Sequence, residues 1–121
     1  MSYWAWLAVV AVGGLGAIGR FLLDSLIAAR AGRDFPFGTF TVNLTGALVL
    51  GFLTSVGLGG TLLVIAGTAT IGSFTTFSTW MFETHRLAEE EEGARSVANI
   101  ALSLVAGFAA AFLGHTIGAH T

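Results

Sequence analysis

From Phe35 to Phe82 the chain carries no charged side chain. Few folds tolerate that. A helix that crosses a bilayer needs about 20 mostly apolar residues, so this run holds two crossings and the turn between them. Two further apolar segments flank it, giving four candidate spans at about residues 3–29, 38–56, 62–86 and 95–119. Composition agrees: charged residues make up 10% of the chain, against about 25% in an ordinary soluble domain. The first span lacks the basic leading region of a secretory signal, and three more spans follow it. The expectation is one all-α integral membrane domain over residues 1–121, with four transmembrane helices.

Net charge is −2 and lysine is absent, which gives nucleic acid nothing to hold. With no cysteine there is no disulfide. The connections are short: Arg30 to Phe37 with Pro36 at the entry to the second span, and a GLGG turn from Gly57 to Gly60. A stretch from His85 to Arg95 carries Glu89, Glu90, Glu91 and Glu92, and reads as a solvated loop. Arg30, Arg33, Arg86 and Arg95 all sit at the first and third loops, which places those loops in the cytoplasm and both termini outside. Gly13 and Ala17, Ala47 and Gly51, Ala110 and Gly114, and Gly114 and Gly118 have the small-xxx-small spacing that lets helices approach closely in lipid. Four spans make a thin bundle, so an oligomer is expected.

Polar residues at membrane depth are the functional candidates. Arg20 and Asp24 lie one turn apart on the first span and can pair there; Arg20 either snorkels to the interface or marks the mouth of an anion pathway. Thr39 and Asn43 share a face of the second span. Asn43 offers two uncharged amide donors, for helix packing or for a ligand. The third span contains GSFTTFSTW, with five hydroxyls interleaved with Phe74, Phe77 and Trp80. Hydroxyls this dense compete for backbone partners, and Gly67 and Gly72 add freedom, so an interruption of that helix is expected. Non-helical backbone at this depth is tolerated only against protein or water. The three rings recur as a stripe. On the fourth span, Asn99 and Ser103 again share a face. Neutral donors on three spans, with a cation on the first, suit a small anion better than a cation.

Taken together, GAIGR ending at Arg20, the Gly38-Thr39 and Val42-Asn43 pattern in GTFTVNLTG, and TTFST followed by Glu83 resemble the CrcB/Fluc fluoride channels. The resemblance covers nearly the whole chain. It implies an antiparallel, dual-topology dimer of four-helix subunits in the cell membrane, with a break in the third helix and two fluoride pathways along the interface. It also implies export of cytoplasmic fluoride down its electrochemical gradient, which protects the cell from fluoride toxicity. On the matching positions, Asn43, Phe77, Trp80, Ser78, Thr79, Ser103 and Arg20 would serve the fluoride pathway. The backbone carbonyls of Gly72 and Thr75 would hold a structural sodium ion that is not transported. The chain departs from the family pattern at Trp80, where a phenylalanine is usual, and at Ser73, which replaces a second glycine. Asn99 stands where a tyrosine is usual. The arginine bias admits either an antiparallel homodimer or a heterodimer with an oppositely oriented paralogue.

Two other readings compete. A small-multidrug-type, proton-coupled exporter also has four short helices, but needs a buried carboxylate in its first helix, where this chain has Arg20 at depth and Asp24 near the end. A non-transporting assembly subunit would explain the small residues but not hydroxyls on three spans. Catalysis is not expected, because no histidine lies near the TTFST hydroxyls in sequence.

Overall fold

The computed structural model describes residues 2–32, 35–57 and 60–121, with every side chain among them except that of Ser78. Arg33, used above for orientation, and Leu58 and Gly59 of the GLGG turn lie outside the described residues.

The chain is all-helical. Helix α1 runs Tyr3–Ala31 and α2 runs Phe37–Ser55. The third pass comprises α3 (Gly60–Leu63), a π-helical stretch Val64–Ile71, a single turn α4 (Gly72–Phe74) and α5 (Ser78–Glu89). Helix α6 runs Gly93–Ala119. Among the described residues four stretches, the third taken over Gly60–Glu89, are long and apolar enough to cross a membrane. The fold is that of a multi-pass membrane protein. Local signals set the ends of α1: the Ser2 hydroxyl accepts the Ala5 N–H at 3.1 Å, and Gly32 ends the helix at φ 77°, a conformation that favours glycine.

Among the described residues, the buried apolar set is small: Ala5, Val42, Ala69 and Leu87. Large side chains such as Phe21, Val105, Phe108 and Phe112 point outward. Lipid gives apolar side chains no reason to hide, so cohesion comes from close backbone packing and hydrogen bonds. Glycines supply the closeness. A Cβ on Gly51 would strike the Ala111 carbonyl, one on Gly114 the Leu48 carbonyl, and one on Gly118 the Phe52 carbonyl, so α2 and α6 meet backbone to backbone. The other seam joins α1 to the π-helical stretch. Its tightest point is Gly16, whose Cβ would run into the Thr70 carbonyl; a Cβ on Gly13 would come within 3.3 Å of the hydroxyl of Ser73 in α4. Within that stretch Thr70 Oγ1 donates to the Ile65 carbonyl at 2.9 Å, a five-residue reach that follows the π-helical register.

Candidate functional site

Residues 75–77 belong to neither α4 nor α5, and Thr75 has an extended backbone (φ −80°, ψ 162°). The chain therefore frees backbone groups at membrane depth, where unsatisfied ones cost several kcal/mol, roughly. Three side chains collect them. Thr75 turns its hydroxyl back to the Ile71 carbonyl (3.1 Å), which also accepts the Thr75 N–H (2.9 Å). The Thr76 hydroxyl accepts the Thr79 N–H at 3.2 Å and so caps α5. Asn43, reaching across from α2, takes both groups of Thr76: its Oδ1 accepts the Thr76 N–H (2.8 Å) and its Nδ2 donates to the Thr76 carbonyl (2.9 Å). This two-point clamp does for Thr76 what a neighbouring strand would do. It leaves one amide hydrogen of Asn43 for another acceptor.

The clamp sits on a cleft of about 510 Å³. Asn43, Thr68, Gly72, Thr75, Phe77 and Trp80 are among its lining residues, and none of its lining carries a charge. Phe77 is 70% exposed, and Trp80 meets it edge to face with centroids 5.6 Å apart at 76°. The supposed stripe is split: Phe74 packs inside, against Gly19 and Gly46, while Phe77 faces outward. The extended Thr75 between them resets the helical phase. Trp80 also commits its indole N–H, which donates to the Asn99 main-chain carbonyl at 3.3 Å.

Arg20 and Thr79 lie elsewhere, around a cavity of about 10 Å³ shared with Asp24, Thr39, Val42 and Thr76. Thr76 borders both spaces and is the link between them. The expected Arg20–Asp24 ion pair does not form: among the described residues neither has a partner within 4 Å. Asp24 lies against Gly38 at the α1–α2 contact, where a Cβ on Gly38 would collide with its carboxylate. Thr39, 2% exposed, instead donates to Glu83 at 2.5 Å, tying α2 to α5. Ser103 turns a buried hydroxyl toward no protein partner among the described residues. The Ser78 side chain lies outside the described residues.

The family model described as CrcB-like protein, Camphor Resistance (CrcB), matches residues 7–115. The chain belongs to this family. A Mycobacterium tuberculosis (strain ATCC 25618 / H37Rv) protein named fluoride-specific ion channel FluC 2 is 49% identical over 112 residues, spanning 93% of this chain and 89% of its own. Proteins named fluoride-specific ion channel FluC 1 match at 42% identity in Streptomyces avermitilis (90% of this chain, 91% of theirs) and at 38% in Symbiobacterium thermophilum (94% and 97%).

Within this CrcB-family chain, sequence reasoning passed over Thr76, Glu83 and Thr84 as individual contributors. Thr76 is one hydroxyl among five, and no residue-type signal marks it as the one clamped by Asn43. Glu83 had a clue: it is the first charge after the long uncharged run, so a buried donor such as Thr39 was the partner to look for.

Proposed function

We propose that this chain is a fluoride-selective channel of the cell membrane, through which cytoplasmic fluoride leaves down its electrochemical gradient. Such a pathway spares the cell from fluoride toxicity. The observation that carries this reading is the uncharged cleft at the Asn43–Thr76 clamp, in a chain whose relatives bear the name fluoride-specific ion channel. Fluoride holds its water tightly, so it must be passed to short, aligned donors. The spare amide hydrogen of Asn43, the threonine hydroxyls and the edges of Phe77 and Trp80 supply positive potential without a fixed counter-charge. A charged ligand would bind too well, whereas several modest ones let the ion leave again. Arg20, without an ion-pair partner among the described residues, lies beside the small cavity and attracts anions to the entrance, and Asp24 on the same cavity tempers that pull. Thr79 and Ser103 continue the polar route, to which Ser78 is assigned by the family resemblance alone.

A single chain leaves the cleft open, and an antiparallel second copy is the cover that completes it. An oppositely oriented paralogue is the alternative partner. Gly72 and Thr75 carry the proposed sodium site. Among the described residues no hydrogen bond outside the helices reaches their carbonyl oxygens, and hard oxygen donors of this kind fit sodium. Two per chain become four across a two-fold axis, and a bound sodium would supply a fixed positive charge there. Within one chain a Cβ on Gly72 meets nothing within 4 Å. Gly72→Leu is therefore expected to leave the single chain folded but abolish dimers on size-exclusion with light scattering. A Gly72→Leu dimer of wild-type affinity would remove this face from the interface.

The test of function is purified protein in liposomes, with a fluoride electrode following efflux under a potassium gradient. Fluoride loss that needs a potassium ionophore, with chloride retained, is the expected result. Equal loss of chloride, or exchange of a cationic dye for protons, would sink the channel reading in favour of a nonselective pore or an exporter.

A further inference from the structure

Helix α6 holds two polar atoms that are sealed from solvent and bonded to nothing among the described residues: the side-chain oxygen Oδ1 of Asn99 and the hydroxyl of Ser103. Asn99 is fully buried, at 0% exposure. The two residues are one turn apart, so their side chains share a face of α6. Buried acceptors in native proteins are nearly always satisfied by protein, water or ligand. Two orphans one turn apart on the same face point to something small that bonds to both.

The other end of Asn99 is engaged. Its Nδ2 donates to Thr84 Oγ1 at 2.7 Å, and the Thr84 hydroxyl donates to the Trp80 carbonyl at 2.8 Å. Ser96 fixes this part of α5 by donating to the Thr84 carbonyl at 2.9 Å. A threonine hydroxyl has one hydrogen and can send it one way at a time. Sent to Trp80, it accepts from the Asn99 amide, and Oδ1 is left without a partner among the described residues. Sent to Asn99, it needs the amide reversed, which puts Oδ1 at Thr84 and the Nδ2 hydrogens where Oδ1 had been. The Thr84–Asn99 bond survives in both arrangements, and only the bond to Trp80 is exchanged. Asn99 can thus show either an acceptor or a donor to the same spot, while Ser103 can donate or accept in either.

We infer that Asn99 and Ser103 form a two-state site for one small hydrogen-bonding ligand, with Thr84 as its switch: a water molecule binds through Oδ1, and fluoride binds through Nδ2. This rests on the fluoride-channel reading and adds a step to it. Fluoride arriving beside Ser103 finds two donors once the amide turns, and bonds of an amide and a hydroxyl to a full negative charge are stronger than the neutral bond given up at Trp80. When the ion leaves, water replaces it and the amide returns. Thr84 is a positioning residue; Asn99 and Ser103 touch the ligand.

The chain has two asparagines, Asn43 and Asn99, and no glutamine, so ¹⁵N-asparagine labelling of the whole protein in nanodiscs yields two side-chain amide pairs. Asn99→Leu assigns them, with Asn99→Asp as the substitute if that variant does not fold. Without fluoride, the Asn99 amide is expected to show a cross-relaxation peak to bound water. Sodium fluoride is expected to move its protons downfield saturably, while equal sodium chloride leaves them in place. Thr84→Val should abolish that response and slow fluoride efflux about tenfold, and Thr84→Ser should restore both. A water peak with no response to fluoride overturns the inference, as does a Thr84→Val protein that responds like wild type. If liposomes conduct fluoride and the Asn99 amide is silent, only this inference falls; if wild-type liposomes do not conduct, the channel reading itself falls.

Discussion

Asn43→Ala lowers fluoride efflux at least about a hundredfold, equivalent to roughly 2.8 kcal/mol on the barrier, while the protein still inserts and purifies. The size follows from what the amide does. It pairs with both backbone groups of Thr76, and leaving each unpaired in a partly buried place costs about 1–3 kcal/mol. The freed segment is expected to re-form helix through residues 75–77, which would move Phe77 and Thr75 from the cleft they now line. Loss of the spare amide hydrogen adds to this if it meets the ion. Two further variants separate the roles. Asn43→Asp keeps an acceptor for the Thr76 N–H but sets a carboxylate against the Thr76 carbonyl and against any anion, and is expected to be as inactive as alanine. Asn43→Ser keeps a donor too short to reach both groups, and is expected to keep the fold and lose the flux. The check is the initial efflux rate per reconstituted protein. Alanine or aspartate variants within a factor of about three of wild type would show that neither the clamp nor the spare hydrogen matters to transport.

How much of this was written in the sequence differs from residue to residue. The four spans are legible because hydrocarbon thickness and the absence of charge leave the chain little choice. That Thr39 and Asn43 serve one face also follows from spacing, and both do turn toward the third pass, to Glu83 and Thr76. The seam glycines Gly51, Gly114 and Gly118 sit where small-xxx-small spacing puts them. Other features left no mark. The π-helical stretch Val64–Ile71 is a change of backbone register, and its residues Val, Ile, Ala, Gly and Thr are those of any apolar helix. Reading Phe74, Phe77 and Trp80 as a stripe presumes a constant helical phase, which the extended Thr75 removes. Arg20 and Asp24 have the spacing of a pair but form none among the described residues, and Asp24 lies against Gly38, a residue of another helix. Spacing sees one element at a time; the partners that decided these cases lie on a second element.

Gly114→Leu is expected to remove folded protein altogether. The Cβ alone would strike the Leu48 carbonyl and approach the Phe52 N–H to 2.9 Å, and both are backbone atoms of α2 that cannot step aside as a side chain would. The α2–α6 seam must then widen along its length, which also separates Gly51 from Ala111 and Gly118 from Phe52. Overpacking a rigid core costs about 1–3 kcal/mol or more, and a membrane bundle whose buried apolar set is only Ala5, Val42, Ala69 and Leu87 among the described residues has little else to draw on. Native proteins are stable by about 5–15 kcal/mol in total, so a seam lost over three contacts is expected to exceed what remains. Gly107→Leu is the control: it lies on the same helix, gains the same in helix propensity, and its Cβ meets nothing within 4 Å. On detergent extraction and size-exclusion, Gly107→Leu should give the wild-type peak of the folded protein and Gly114→Leu only aggregate. A monodisperse, heat-stable Gly114→Leu protein would mean that the two helices do not meet at Leu48, and the packing that presents Asn43 to Thr76 would have to be redrawn.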